Sequence, residues 1–345
     1  MIAINALALA VGLVIRHNIK FFDNDRPGFM ERSVPLRLLG RLSGATLSLS
    51  YVVSVAFYVT LMSGFALESL GLYHTVWVKI ASTVVLFAIG GYGLWRGLHG
   101  LEAVEKVAVN LKIAIIGGLL LVLAVFRLRG GGAGFAPETH AFGFGSLGVL
   151  GGMLLITQGF ETTKYLGHQY EVRPRVRALV LSQLLAAAIY VAFVSLVGPL
   201  VSGVDPARET AIIGAIASLA VGLGVVLSFG AIFSQFSAAV ADTLGVGGIL
   251  QQESRGRFPE RAAYPLVAIA AAALLWGFDV FTVMAFASRA FALYYALQAG
   301  IATLTAFGHS DSAHRSVKLV LFPSLAVVLL LIAVLAIPAE EQAVR

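Results

Sequence analysis

The sequence predicts an all-α polytopic membrane protein, and three observations carry that prediction. Hydrophobic residues make up 59% of the 345 and charged residues only 12%, against about 25% charge in a water-soluble domain. The apolar residues are gathered into blocks of about 20, the length that crosses a hydrocarbon core as a helix. The blocks are continuous runs of Leu, Ala, Val and Gly, not the alternating segments of about ten residues that build a membrane barrel. Mean hydropathy is +0.90.

About ten spans follow: 2–15, 43–66, 76–95, 107–126, 146–167, 178–201, 212–240, 264–279, 282–306 and 317–337. The first differs from the rest. Met1 to Ile15 is short for a crossing, has no basic flank before it and a strong one after it. A signal peptide shows the reverse order. The reading is that the chain begins inside a helix and that preceding sequence is missing; the alternative is a short span that thins the bilayer or packs against neighbours. No stretch is polar and long enough for a soluble domain, so residues 1–345 form one transmembrane domain.

The chain has no cysteine, which excludes disulfides, thiol nucleophiles and thiolate metal sites. A net charge of +6 and a pI near 9.6 invite a nucleic-acid partner, but the basic residues lie in short loops between apolar blocks and argue against one. One set of loops holds 17 of the 24 Lys and Arg, from Arg16 and Lys20 through Arg173, Arg175 and Arg177 to Lys318. The positive-inside rule places that set in the cytoplasm.

Ionisable and polar groups inside spans mark functional candidates. Lys112 lies about six residues into 107–126, roughly 9 Å deep at 1.5 Å per residue. It is either a buried ammonium that gives up and regains a proton, since desolvation disfavours the charged form, or a lysine snorkelling to the surface. Arg289 lies deeper in its span and does not deprotonate. It is expected to be a structural clamp to a carboxylate such as Glu161 or to helix-end carbonyls. Thr157-Gln158-Gly159-Phe160-Glu161 places a glycine, an aromatic and a carboxylate inside an apolar run. A break here offers backbone groups to a polar solute; the bland alternative ends the helix at Thr157 and leaves Glu161 interfacial. Ser228, Gln235 and Asp242, at i, i+7 and i+14, share one helical face. Ser234 and Ser237 lie beside it at the depth of Lys112, and Asp242 nearer the cytoplasmic surface.

Other signals are weak. Gly130-Gly131-Gly132-Ala133-Gly134 lacks the ending of a phosphate loop and reads as a linker. His309, Asp311 and His314 form a loop cluster whose metal binding is improbable, and no metal or cofactor is expected. No hydrolase motif occurs, so an enzyme is not expected.

Several of these residues together resemble a known family. Gly100-Leu101-Glu102-Ala103-Val104-Glu105-Lys106, followed by Val109-Asn110-Leu111-Lys112-Ile113, resembles the loop and fifth helix of amino acid–polyamine–organocation (APC) permeases. Gln158-Gly159-Phe160-Glu161 resembles the Gly-Phe-Glu at the break in their sixth helix, and Gly256-Arg257-Phe258-Pro259 the segment between their eighth and ninth. The resemblance implies a leucine-transporter-like bundle of two inverted repeats, with this chain spanning helices 2 to 11 and the first helix absent. It implies a polar, amino-acid-like solute at Thr157, Gln158, Gly159, Phe160 and Glu161, with Phe160 as a gate. It also implies proton coupling at Lys112, lined by Ser234 and Ser237. Gln158 stands where the family usually has an aromatic or small residue, so the solute differs from a standard amino acid.

The expected function is secondary active transport of amino acids or related amines by alternating access, driven by protons, in the cytoplasmic (inner) membrane of a bacterium. Its partners are the small-molecule substrate, protons and lipid. The competing reading is a non-transporting membrane protein, a fragment, scaffold or sensor that keeps the permease fold.

Overall fold

The computed structural model describes residues 2–25, 28–130, 151, 153–167, 170–198, 222–308 and 315–335, and every regular element among them is helical. Helix α1 is Ile2–Lys20 and runs into a π-helical turn, Phe21–Asp25. A single turn, α2 (Phe29–Arg32), leads to α3 (Val34–Ser69) and α4 (Thr75–Leu128). After α5 (Leu154–Thr157) comes a 3-10 segment, Phe160–Leu166, and then α6 (Val172–Val197). The chain ends with α7 (Leu223–Glu253), α8 (Glu260–Gly277), α9 (Val280–Gly308) and α10 (Arg315–Leu335).

Seven helical stretches among the described residues are long and apolar enough to cross a membrane. Fewer than ten are seen for identifiable reasons. Spans 76–95 and 107–126 are the two arms of α4, kinked at Gly97 (φ 68, ψ −163). That left-handed backbone suits glycine, and a Cβ there would also meet Arg261 Nε at 2.5 Å. Residues 146–150 and 212–221 of two expected spans, and the linker and histidine-loop candidates beyond Gly130 and Gly308, lie outside the described residues. Span 264–279 forms α8, which opens with Glu260 and Arg261. The first span is longer than the apolar pattern predicts, because the helix continues through Arg16, His17 and Asn18; its stretch Ile2–Asp23 is long enough to cross.

Helix α3 is the centre of the bundle, packing on α7 and α9. Leu47, Tyr51, Val55 and Val59 recur every four residues along it and are all buried. Beside them sit buried serines, Ser43 one turn before and Ser50 and Ser54 between, small residues that let membrane helices approach closely. Helix α4 meets α8 almost backbone to backbone: a Cβ on Gly90 would lie 2.9 Å from Ala268 Cβ and 3.1 Å from the Tyr264 carbonyl. Large apolar side chains such as Trp77, Trp95, Leu121 and Val334 are exposed, as helices immersed in lipid require.

Two buried polar knots tie elements that are distant in sequence. At Gln298 on α9, the Asn18 amide of α1 donates to the side-chain oxygen at 2.8 Å and to the backbone oxygen at 3.0 Å. Lys164 Nζ donates to the same side-chain oxygen at 3.0 Å, and Gln298 Nε2 donates to Ser43 Oγ of α3. At Arg175 on α6, the guanidinium donates to the carbonyls of Thr163 and Lys164 at 3.3 and 3.0 Å and pairs with Asp23.

Candidate functional site

The run Leu154–Glu161 does not cross as one helix. After one α turn the chain leaves helical geometry at Gln158 (φ −74, ψ 172) and turns at Gly159 (φ 114, ψ −28) into the 3-10 segment. The φ of Gly159 lies where side chains other than glycine are strained, which is why the break falls at this residue. The backbone groups freed by the break need partners in an apolar setting. Tyr190 of α6 donates to the Ile156 carbonyl at 2.6 Å. The Gly159 carbonyl accepts from the Thr162 hydroxyl at 2.7 Å and its amide at 3.3 Å. Thr157 turns its hydroxyl back to Leu154 O at 3.3 Å.

Glu161 is the anchor of the break and is 0% exposed. Its Oε1 accepts from the Tyr51 hydroxyl of α3 at 3.0 Å. Its Oε2 accepts from the Tyr295 hydroxyl of α9 at 3.0 Å and from the Gly159 amide at 2.9 Å. The helix does end at Thr157, and the carboxylate is buried within the protein at the break. Phe160 is also buried and stacks on Tyr295, with centroids 5.8 Å apart and planes 8° from parallel. In this state it belongs to the wall of the core, packed against the same ring that holds Glu161. Glu161, the carboxylate suggested as one partner for Arg289, is engaged by these tyrosines instead, and Arg289 lies exposed on α9.

Gln158 points the other way. Its Nε2 donates to the Tyr58 hydroxyl at 2.9 Å and lies 3.4 Å from Asp242 Oδ2, while its buried Oε1 has no partner. Asp242 also accepts from the Ser54 hydroxyl. Only 2% of Asp242 is exposed: although it lies nearer the basic-loop end of α7 than Ser237, it is walled in by α3 and the break. On a second face of α7, Lys112 Nζ donates to Ser237 Oγ at 2.8 Å, and Ser237 Oγ donates to the Ser234 carbonyl at 3.0 Å. Lys112 is half-buried and is spent on this contact, not extended to the surface.

The structure thus brings Gln158, Gly159 and Glu161 together with α3 and α9, and Lys112 together with Ser237. It adds residues that the sequence reading left out: Tyr51, Ser54 and Tyr58 on α3, and Tyr295 on α9. A signal was present, since Tyr51, Ser54 and Tyr58 stand at i, i+3 and i+7, one polar face of an apolar helix.

Two cavities approach this core. One of 220 Å³ lies between α3, α4, α7 and the 3-10 segment and is lined by Tyr51, Glu105, Thr162, Tyr165 and Ala241, among others. A larger vestibule, at the end of the bundle that carries the basic loops, is lined by Lys20, Asp23, Lys164, Arg173, Arg175 and Arg255, among others. Among the described residues no cluster of three metal-ligating side chains occurs.

A family model described as "APC superfamily transporter" matches residues 1–336. The chain is also similar to an uncharacterized protein of Aquifex aeolicus (strain VF5). The two are 38% identical over 334 residues, which cover 96% of this chain and 82% of the relative.

Proposed function

This chain belongs to the APC superfamily of transporters, and we propose that it is a secondary active carrier of amino acids or related amines, coupled to protons and working by alternating access. The observation that carries the reading is the helix break at Gln158–Gly159, set between buried carboxylates and hydroxyls. A discontinuous membrane helix gives a polar solute backbone and side-chain partners that an intact helix withholds. Thr157, Gln158, Gly159, Phe160 and Glu161 form the solute site. Tyr51 and Tyr295 hold Glu161 in place.

Lys112 supplies the coupling, with Ser237 and Ser234 as its partners on α7. In the ammonium form Lys112 links α4 to α7. Loss of the proton removes the charge from that hydrogen bond and weakens it, because bonds to charged groups are roughly twice as strong as neutral ones. Protonation therefore changes how firmly the two helices are joined. Arg289 is assigned a structural role on α9.

The test is uptake into proteoliposomes, with a panel of radiolabelled neutral, acidic and basic amino acids and diamines, under an imposed pH gradient. Accumulation that follows the pH gradient is the expected result. Sodium dependence without proton dependence overturns the coupling. Absence of uptake for the whole panel favours a non-transporting protein that retains the permease fold.

A further inference from the structure

Helix α7 makes two buried polar contacts on different faces. Ser237 turns toward Lys112 on α4, and Asp242, five residues on, turns toward α3 and the helix break. Five residues on a helix rotate the side chain by roughly 140°, so one residue cannot serve both contacts.

Among the described residues, the hydrogen-bond donors to Asp242 are both neutral: the Ser54 hydroxyl and, at 3.4 Å, the Gln158 amide. Among the described residues, the titratable groups found to face it are acids and phenols. Tyr51 and Tyr58 face it from α3, Tyr295 from α9, Glu161 from the 3-10 segment and Glu105 from α4. Lys112, on α4, directs its ammonium to Ser237. A carboxylate taken out of water without a cation costs several kcal/mol, and ionisable groups held at such a place inside a membrane mark ion pathways. At 2% exposure the carboxyl has almost no contact with solvent.

We propose that Asp242 is a second proton-exchanging group of the carrier, and that Gln158 relays its state to the break. The inference rests on the transporter reading above. The step is one proton bound at a carboxylate oxygen of Asp242 and released from it, with no other bond changed.

Gln158 is suited to the relay because its amide has two ends. The ionised carboxylate accepts from Nε2; the acid has a hydroxyl to donate and calls for Oε1 instead. That oxygen is buried and has no partner in the present setting. Proton binding at Asp242 therefore favours rotation of the amide, at the residue where the helix leaves its regular path. The 220 Å³ cavity reaches Tyr51 and Ala241, the residue before Asp242, and carries Glu102, Glu105 and Glu260 in its lining. These carboxylates make it a suitable approach for protons.

The experiment is infrared difference spectroscopy between high and low pH on the purified protein in lipid, with no solute added. Wild type should show a titrating carbonyl stretch of a protonated carboxyl. Asp242→Asn should lose that band, and Lys112→Met should keep it. An unchanged band in Asp242→Asn, or no carboxyl band in wild type, overturns the proposal. Asp242→Glu keeps the acid and should shift the band. An unshifted band overturns the assignment even where the asparagine variant does not fold. Because no solute is involved, a failed band leaves the transporter reading standing, and a positive band with no uptake sinks that reading alone.

Discussion

Lys112 and Ser237 face each other across the α4–α7 interface at 2.8 Å, and the serine hydroxyl passes on to the Ser234 carbonyl at 3.0 Å. Lys112→Met removes the only titratable member of this chain of contacts and should abolish uptake driven by a pH gradient. Ser237→Ala removes an acceptor from a charged donor, a loss of about 1.5–3 kcal/mol, and should weaken driven uptake without abolishing it. Initial-rate uptake in proteoliposomes distinguishes the two, and normal accumulation by Lys112→Met would remove that residue from the mechanism.

Glu161 depends on two tyrosines. Tyr51→Phe and Tyr295→Phe each withdraw a hydroxyl from a fully buried carboxylate and should each lower stability by about 1–3 kcal/mol. The two losses should not add, since both act on one acceptor group. Thermal unfolding in detergent measures all three variants; strictly additive shifts would mean that the tyrosines act through packing alone.

At Gly159 a Cβ would have nothing within 4 Å, yet φ is 114. Gly159→Ala is therefore a test of backbone strain free of steric clash, with an expected cost of about 1–3 kcal/mol. The prediction is a reduced melting temperature together with impaired uptake. An alanine variant as stable as wild type would mean that the break is not held at this residue.

Arg175 is 3% exposed and joins α6 to the 3-10 segment and to Asp23. Arg175→Lys keeps the charge and loses the planar fork that reaches two carbonyls and a carboxylate together. It should destabilise nearly as much as Arg175→Ala, by about 1–3 kcal/mol for buried carbonyls left without their donor, with Asp23→Asn costing less because Asp23 is half-exposed. Full rescue by lysine in a melting assay would reduce the contact to simple charge.

The pH enters the fold at the start of α9. Asp279, in the turn before that helix, accepts from the Thr282 hydroxyl at 2.5 Å and from the amides of Thr282 and Phe281 at 3.0 and 3.1 Å. These bonds, with Thr282 first, hold its carboxyl below the ordinary value of 3.8. A lowered carboxyl contributes stability above its unfolded value and loses it as pH falls through the folded one. Asp279→Ala should cost about 1 kcal/mol near neutral pH and progressively less toward acid. A melting-temperature difference independent of pH would contradict the cap.

The spans were legible because the apolar blocks match the bilayer, and the break was legible because glycine beside a carboxylate is out of place in an apolar helix. Pairing of Lys112 with Ser237 was legible from depth alone, since both sit at similar distances from the basic loops. What was hidden depends on rotation about helix axes and on which helices are neighbours. Counting residues gave the depth of Asp242 along its helix but not that α3 covers it and Gln158 reaches it. Tyr51 and Tyr295 were not singled out in their spans, while their hydroxyls hold Glu161 from two sides. Arg289 looked like a partner for Glu161, but it faces outward from α9.

The knot at Gln298 concentrates four elements on one residue: α1 through Asn18, α3 through Ser43, the 3-10 segment through Lys164, and α9 itself. A joint distributed over many residues can loosen by degrees. One focused on a single amide is felt by several elements together, because displacing that side chain frees Ser43 and Lys164 and leaves Asn18 only its bond to the Gln298 backbone oxygen. The polar contacts of this joint are therefore expected to be lost together, while the apolar packing of α3 on α9 remains to be separated.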